Sequence, residues 1–160
     1  MQIIENIEAL SSWVGKEVAI SDWLLIDQAR IQRFADATGD QQWIHTDPER
    51  AQRESPYKST IAHGYLTLSL LPAMFESSMR IDDVGMTINY GLDRVRLPAP
   101  VLVNQRVRGR LLLDRVEPVA DGVQAHWTAT VEVEGGNKPV CVAQMLCRYY
   151  PQTNHNTNAR

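Results

Sequence analysis

The chain is poor in cysteine, holding only Cys141 and Cys147 among its 160 residues. Both fall in one strand-like stretch, where they would stand roughly 20 Å apart, too far to bond to each other. A reduced, cytoplasmic protein is therefore expected. There is no run of 18 apolar residues and no basic start leading into an apolar core. Neither a membrane span nor a secretory signal is expected. A large excess of charge of one sign is also lacking: the net charge is −3, which gives no electrostatic reason to expect a nucleic-acid partner. Repeats and low-complexity linkers are absent. Length and composition predict one domain, over residues 1–151, followed by a polar, asparagine-bearing tail, 152–160, expected to be disordered.

The patterning divides the chain into a helical first half and a stranded second half. Asp27 can cap a short helix whose Ile31, Phe34, Ala35 and Thr38 form one stripe, with Gly39 suited to the position past its end. Asp47-Pro48 is a cap followed by a favoured first helical residue, predicting a helix over Pro48 to Arg53. His45 then falls in a loop held between two helices. Tyr65 to Met79 is apolar in almost every helical direction, which predicts a core helix buried on most sides and kinked or broken at Pro72. After Asp82 the period becomes two. Trp127, Ala129, Val131 and Val133 alternate with polar residues, Gln105 to Leu113 alternates similarly, and Cys141 to Tyr149 is apolar on both faces. Turn signals at Leu97-Pro98-Ala99-Pro100, Asp121-Gly122 and Gly135-Gly136-Asn137 separate these runs and imply an antiparallel sheet. Helix and sheet can bury each other in an α+β domain.

Two short signals carry chemistry. Gly39-Asp40-Gln41-Gln42-Trp43-Ile44-His45 places a carboxylate and an imidazole close together just after a helix end. Ile61-Ala62-His63-Gly64 offers a glycine N–H at the start of the apolar helix. An acid, a base and a fixed electrophile are what adding water to an activated double bond requires, so the pair points to an enzyme.

The stretch Phe34 to Ala51 with Thr60-Ile61-Ala62-His63-Gly64 resembles the MaoC-like, (R)-specific enoyl-CoA hydratase family. Its Gln41-Gln42-Trp43 run is similar to the branch that includes nodulation protein N. The resemblance covers roughly residues 15–150, including Tyr90 to Pro98. It implies a single hot-dog fold with the sheet wrapped around a central helix, a homodimer with a continuous sheet, and a coenzyme A thioester as substrate. Coenzyme A would be part of that substrate, and no separate cofactor is expected. Asp40 and His45 match the family's catalytic pair, and Gly64 its oxyanion glycine. Gln42 and Trp43 stand where many members have Asn and Pro, and Pro72 stands where some have Ser. The implied reaction is syn addition of water to a trans-2-enoyl-CoA, giving the (R)-3-hydroxyacyl-CoA. The alternatives are a hot-dog acyl-CoA thioesterase and a non-catalytic acyl-thioester binder.

Gln42, Trp43 and His63 are substrate-binding candidates beside the pair, although the His63 ring could instead fix the turn into the helix. Arg106, Arg108 and Arg110 share one strand face. They are either a solvated outer face or a stripe for the phosphates of coenzyme A. Trp43, Ile44, Tyr57 and Phe75 could line an acyl tunnel. His45, Asp47 and His63 could supply metal ligands, but their spacing matches no metal motif and no metal is expected.

Overall fold

The computed structural model describes residues 1–152. The expected tail therefore lies outside the described residues, save for Gln152, whose N–H donates to the Asp83 carbonyl.

The elements follow in the order β1 (Gln2–Ile4), a 3-10 turn (Glu8–Trp13), β2 (Lys16–Ile20), β3 (Leu24–Leu25), α1 (Gln28–Thr38), α2 (Trp43–Thr46) and α3 (Pro48–Glu54). Next come α4 (Gly64–Ser69), α5 (Leu71–Ser78), β4 (Met79–Ile81), β5 (Val84–Arg96), β6 (Arg106–Val119), β7 (Gly122–Val133) and β8 (Pro139–Pro151). The main sheet runs β2-β6-β7-β8-β5, with β3 also pairing with β6, and every pairing in it is antiparallel. β1 and β4 form a separate parallel pair.

The period-two pattern decides which face of this sheet is covered. Val107, Gly109, Leu111, Leu113, Trp127, Ala129, Val131, Cys141 and Ala143 are buried, while the residues that alternate with them are partly or fully exposed. A bulge between Leu113 and Arg115 shifts the alternation, so β6 continues past the predicted Leu113. α5 lies on the buried face. A Cβ on Gly109 would stand 2.9 Å from Met74 Sδ, so the absent side chain is what lets the helix approach the sheet. Phe75 meets Trp127 edge-on at 5.1 Å between ring centroids. Truncating Trp127 to Ala would cost about 3–5 kcal/mol at such a site. An antiparallel sheet closed over an apolar helix is the hot-dog fold.

The apolar helix is broken at Pro72 as the pattern predicts, into two helices that meet at Leu70 with Pro72 in the first turn of the second. Two features differ from the sequence pattern. Only one side of this helix pair is covered: Leu66, Leu70, Leu71 and Met74 are buried, whereas Pro72 and Ala73 are exposed and Tyr65 is 73% exposed. And His45 occupies a single helical turn, α2, because the Gln42 carbonyl accepts from the N–H groups of both His45 and Thr46. The helix ends follow their local signals. Asp27 accepts from the Arg30 N–H, Asp47 from the Arg50 N–H, and Gly39 closes α1 at φ 79°.

Candidate active site

Gly39 turns the chain out of α1, which presents Asp40 at the surface. α2 then sends the His45 ring inward, leaving the residue only 6% exposed. The returning segment, Thr60 to Gly64, runs alongside. The Ile61 N–H donates to the Ile44 carbonyl at 3.0 Å, and the His45 Nδ1–H donates to the Ile61 carbonyl at 2.6 Å. Since a carbonyl only accepts, this bond fixes the proton of a neutral His45 on Nδ1 and leaves the lone pair on Nε2.

His63 is tied in the opposite sense. Its Nε2–H donates to the Asp40 carbonyl at 3.0 Å, which leaves Nδ1 as the lone pair, buried and without a hydrogen-bond partner among the described residues. The two imidazoles stack, with centroids 3.8 Å apart and planes 26° from parallel, and Phe34 packs against His63 at 5.0 Å. An Asp40 carboxylate oxygen and one ring nitrogen from each histidine lie within 4.8 Å of one another. The Asp40 side chain is otherwise loosely held, its closest donor being the Gln42 N–H at 3.4 Å. Burial pushes His45 below the ordinary imidazole value. The bond to the Ile61 carbonyl opposes this, His63 adds to it, and Asp40 opposes it.

This trio differs from the metal set considered above, because Asp47 is occupied as the cap of α3 and Asp40 takes its place beside the histidines. Nearly parallel rings aim their lone pairs side by side rather than at one ion roughly 2.0–2.1 Å from both. The geometry suits proton transfer better than metal ligation.

Gly64 opens α4 directly after His63. Its N–H stands in the first helical turn, where no intrahelical acceptor exists, and it donates to no group among the described residues. A Cβ there would overlap Leu97 Cδ1, so the residue that follows β5 shields this glycine. Asp40, His45, His63 and Gly64 are thus one cluster.

The remaining candidates lie differently. The Gln42 side chain is exposed, and its main chain is what holds α2. The Trp43 ring is covered by the Arg50 guanidinium at 4.4 Å. Arg106, Arg108 and Arg110 do not join the cluster. They alternate with buried Val107 and Gly109, so they point away from α5 on the outer face of the sheet, where each meets an acid from β2, β7 or the turn after β7. Arg106 pairs with Glu134 at 3.4 Å, Arg108 with Glu132 at 2.5 Å, and Arg110 with Glu17 at 2.9 Å. Their charge is compensated there by an ion-pair ladder, which favours the outer-face reading over the phosphate stripe. Of the tunnel candidates, Phe75 lines a cavity of about 390 Å³ with Pro72, Met79, Ile81, Val84 and Tyr149, whereas Tyr57 is exposed.

Two residues that the sequence did not single out complete the support. Gln28 Nε2 donates to the His45 carbonyl at 2.7 Å, and Thr60 Oγ1 donates to Gln28 Oε1 at 2.5 Å. Neither carries a local signal, since both act across long stretches of chain.

A profile of the MaoC like domain matches residues 10–136. The chain belongs to the MaoC-like dehydratase family. It is 49% identical over 150 residues to 3-hydroxyacyl-thioester dehydratase Z of Mycobacterium tuberculosis, covering 93% of this chain and 99% of that protein. Nodulation protein N of Rhizobium leguminosarum bv. viciae is 47% identical over 137 residues, covering 84% and 85%. Among solved structures, the unliganded R-hydratase of Pseudomonas aeruginosa aligns with a TM-score of 0.73 at 22% identity, covering 93% of this chain and 89% of that one. That likeness speaks for the fold. Among the described residues of this MaoC-like protein, no helix is long and apolar enough to cross a membrane.

Proposed function

We propose that the protein is an (R)-specific enoyl-CoA hydratase, adding water to a trans-2-enoyl-CoA and, in reverse, dehydrating the 3-hydroxyacyl-CoA. The observation that carries this reading is the His45 tautomer: with Nδ1 committed to the Ile61 carbonyl, Nε2 is a ready proton acceptor beside the Asp40 carboxylate. Asp40 and His45 hold one water between them. As its oxygen attacks C3, His45 Nε2 takes the proton, and electron density moves to the thioester oxygen. The Gly64 N–H donates to that oxygen, an interaction worth on the order of 10² to 10³ in rate. The proton then passes from His45 to C2 on the same face, so addition is syn. The names of the M. tuberculosis and P. aeruginosa relatives support both directions of this chemistry.

The acyl chain would run along α4 and α5 toward the cavity at Pro72 and Phe75. In this reading the protein works as a homodimer. β5 is the last strand of the sheet, and Met86, Ile88, Tyr90 and Leu92 on it are exposed, which an isologous β5–β5 pairing would cover. The deciding assay uses crotonyl-CoA. Loss of the conjugated-enone absorbance without free thiol supports hydration. Release of thiol would make the protein a thioesterase, and neither change would make it a binder.

A further inference from the structure

We propose that His63 is a positioning residue of this site, one that anchors Asp40 through its main chain and keeps the proton-accepting role on His45; this rests on the hydratase reading above. The geometry divides the two imidazoles sharply. Both have one nitrogen committed to a backbone carbonyl, His45 to Ile61 and His63 to Asp40. Of the two nitrogens left over, His63 Nδ1 is sealed from solvent and unpartnered, and His45 Nε2 is not. An N–H at His63 Nδ1 would therefore find no acceptor among the described residues. Protonating both rings would set two like charges face to face at 3.8 Å. The nitrogen left open to receive a proton is His45 Nε2.

The same bond that fixes the His63 tautomer locates Asp40. The Asp40 side chain is exposed and weakly held, so its position depends on its backbone, and the His63 Nε2–H bonds that backbone directly. The groups that bear on the charge of His45 are His63 from the entry to α4 and Asp40 from the α1–α2 connection. Gln28 of α1 is neutral, and Arg50 of α3 lies over the Trp43 ring. Of His63 and Asp40, His63 lowers the His45 value and Asp40 raises it.

The test compares His63→Phe and His63→Gln with the wild type in the full chain. Phe keeps a stacked ring and loses the donor to Asp40. Gln keeps an N–H donor and loses the ring. With crotonyl-CoA, His63→Phe is expected to lower kcat by about 10²-fold with KM little changed, the scale of a slight misplacement of a reacting group. His63→Gln should retain most of kcat, but the acid limb of its pH profile should move to higher pH. An NMR titration of the His45 ring should show the same upward move, and it requires no turnover. A His63→Phe protein with wild-type kcat would overturn the anchoring of Asp40. Unchanged His45 titration in His63→Gln would overturn the control of protonation, and if the His63→Phe chain failed to fold, a His63→Gln protein that lost as much kcat as a catalytic-pair variant would overturn the anchoring in its place. A wild type that titrates as expected yet hydrates nothing would retire the hydratase reading while the coupling of the two rings stands.

Discussion

Replacing Asp40 with Asn or His45 with Ala is expected to lower kcat on crotonyl-CoA by about 10² to 10⁴, the usual worth of a positioned acid or base. Because both act on one water, the double variant should be little worse than either single one. Near-wild-type hydration by either single variant would remove it from the mechanism. His45 also predicts a pH effect on stability. Its folded value lies below the ordinary 6.5 because the ring is buried. As pH falls below 6.5 the unfolded chain binds a proton that the folded chain resists, so stability present above that pH is lost on the way down through the folded value. Chemical denaturation at a series of pH values should show this slope, and His45→Phe should flatten it. Gly64 has no positive φ, so Gly64→Val should stay folded by displacing the flexible Leu97 side chain, and lose turnover by crowding the oxyanion position. A fully active Gly64→Val enzyme would place the electrophile elsewhere. Asp40, His45 and Gly64 were legible as a motif because their spacing is local. Gln28 and Thr60 were not, since nothing near them in the chain tells that Gln28 will reach the His45 carbonyl or that Thr60 will reach Gln28.

The helices around the site begin and end where short-range chemistry says they should: Asp27, Gly39 and Asp47-Pro48 each cap or close an element within a few residues of themselves. The strands were legible by alternation for the same reason. The arginine stripe was misleading because one strand shows only its own charges, and Glu17, Glu132 and Glu134 arrive from β2, the end of β7 and the turn after it. Arg108→Ala should therefore leave KM for a coenzyme A thioester unchanged and cost about 1 kcal/mol of stability or less, as partly exposed ion pairs do. A several-fold rise in KM would restore the phosphate stripe. In β8, burial pushes the Cys141 and Cys147 thiols up to about 11. Iodoacetamide at pH 8 should label neither in the folded protein and both after unfolding.

At the level of the whole molecule, the sheet ends at β5 with an apolar edge that is unpaired among the described residues, and light scattering is expected to return twice the 18.1 kDa chain mass. A monomer at micromolar concentration would remove the dimer, and a dimer that Ile88→Lys leaves intact would place the interface elsewhere. The exposed side of α4 and α5 could not be read from one chain's hydrophobicity, because that pattern does not say which apolar residues meet their own sheet and which do not. The way the site is fastened has a consequence for descent. The α1–α2 connection and the entry to α4 are joined by the Ile61 N–H to Ile44 and by the two imidazoles themselves. A lineage released from the need for this reaction would still be held to both histidines by selection for folding. The Asp40 carboxylate, exposed and scarcely bonded, would be free to drift first, so among relatives its loss is the sign of a retired enzyme, and an intact histidine pair is no proof of a working one.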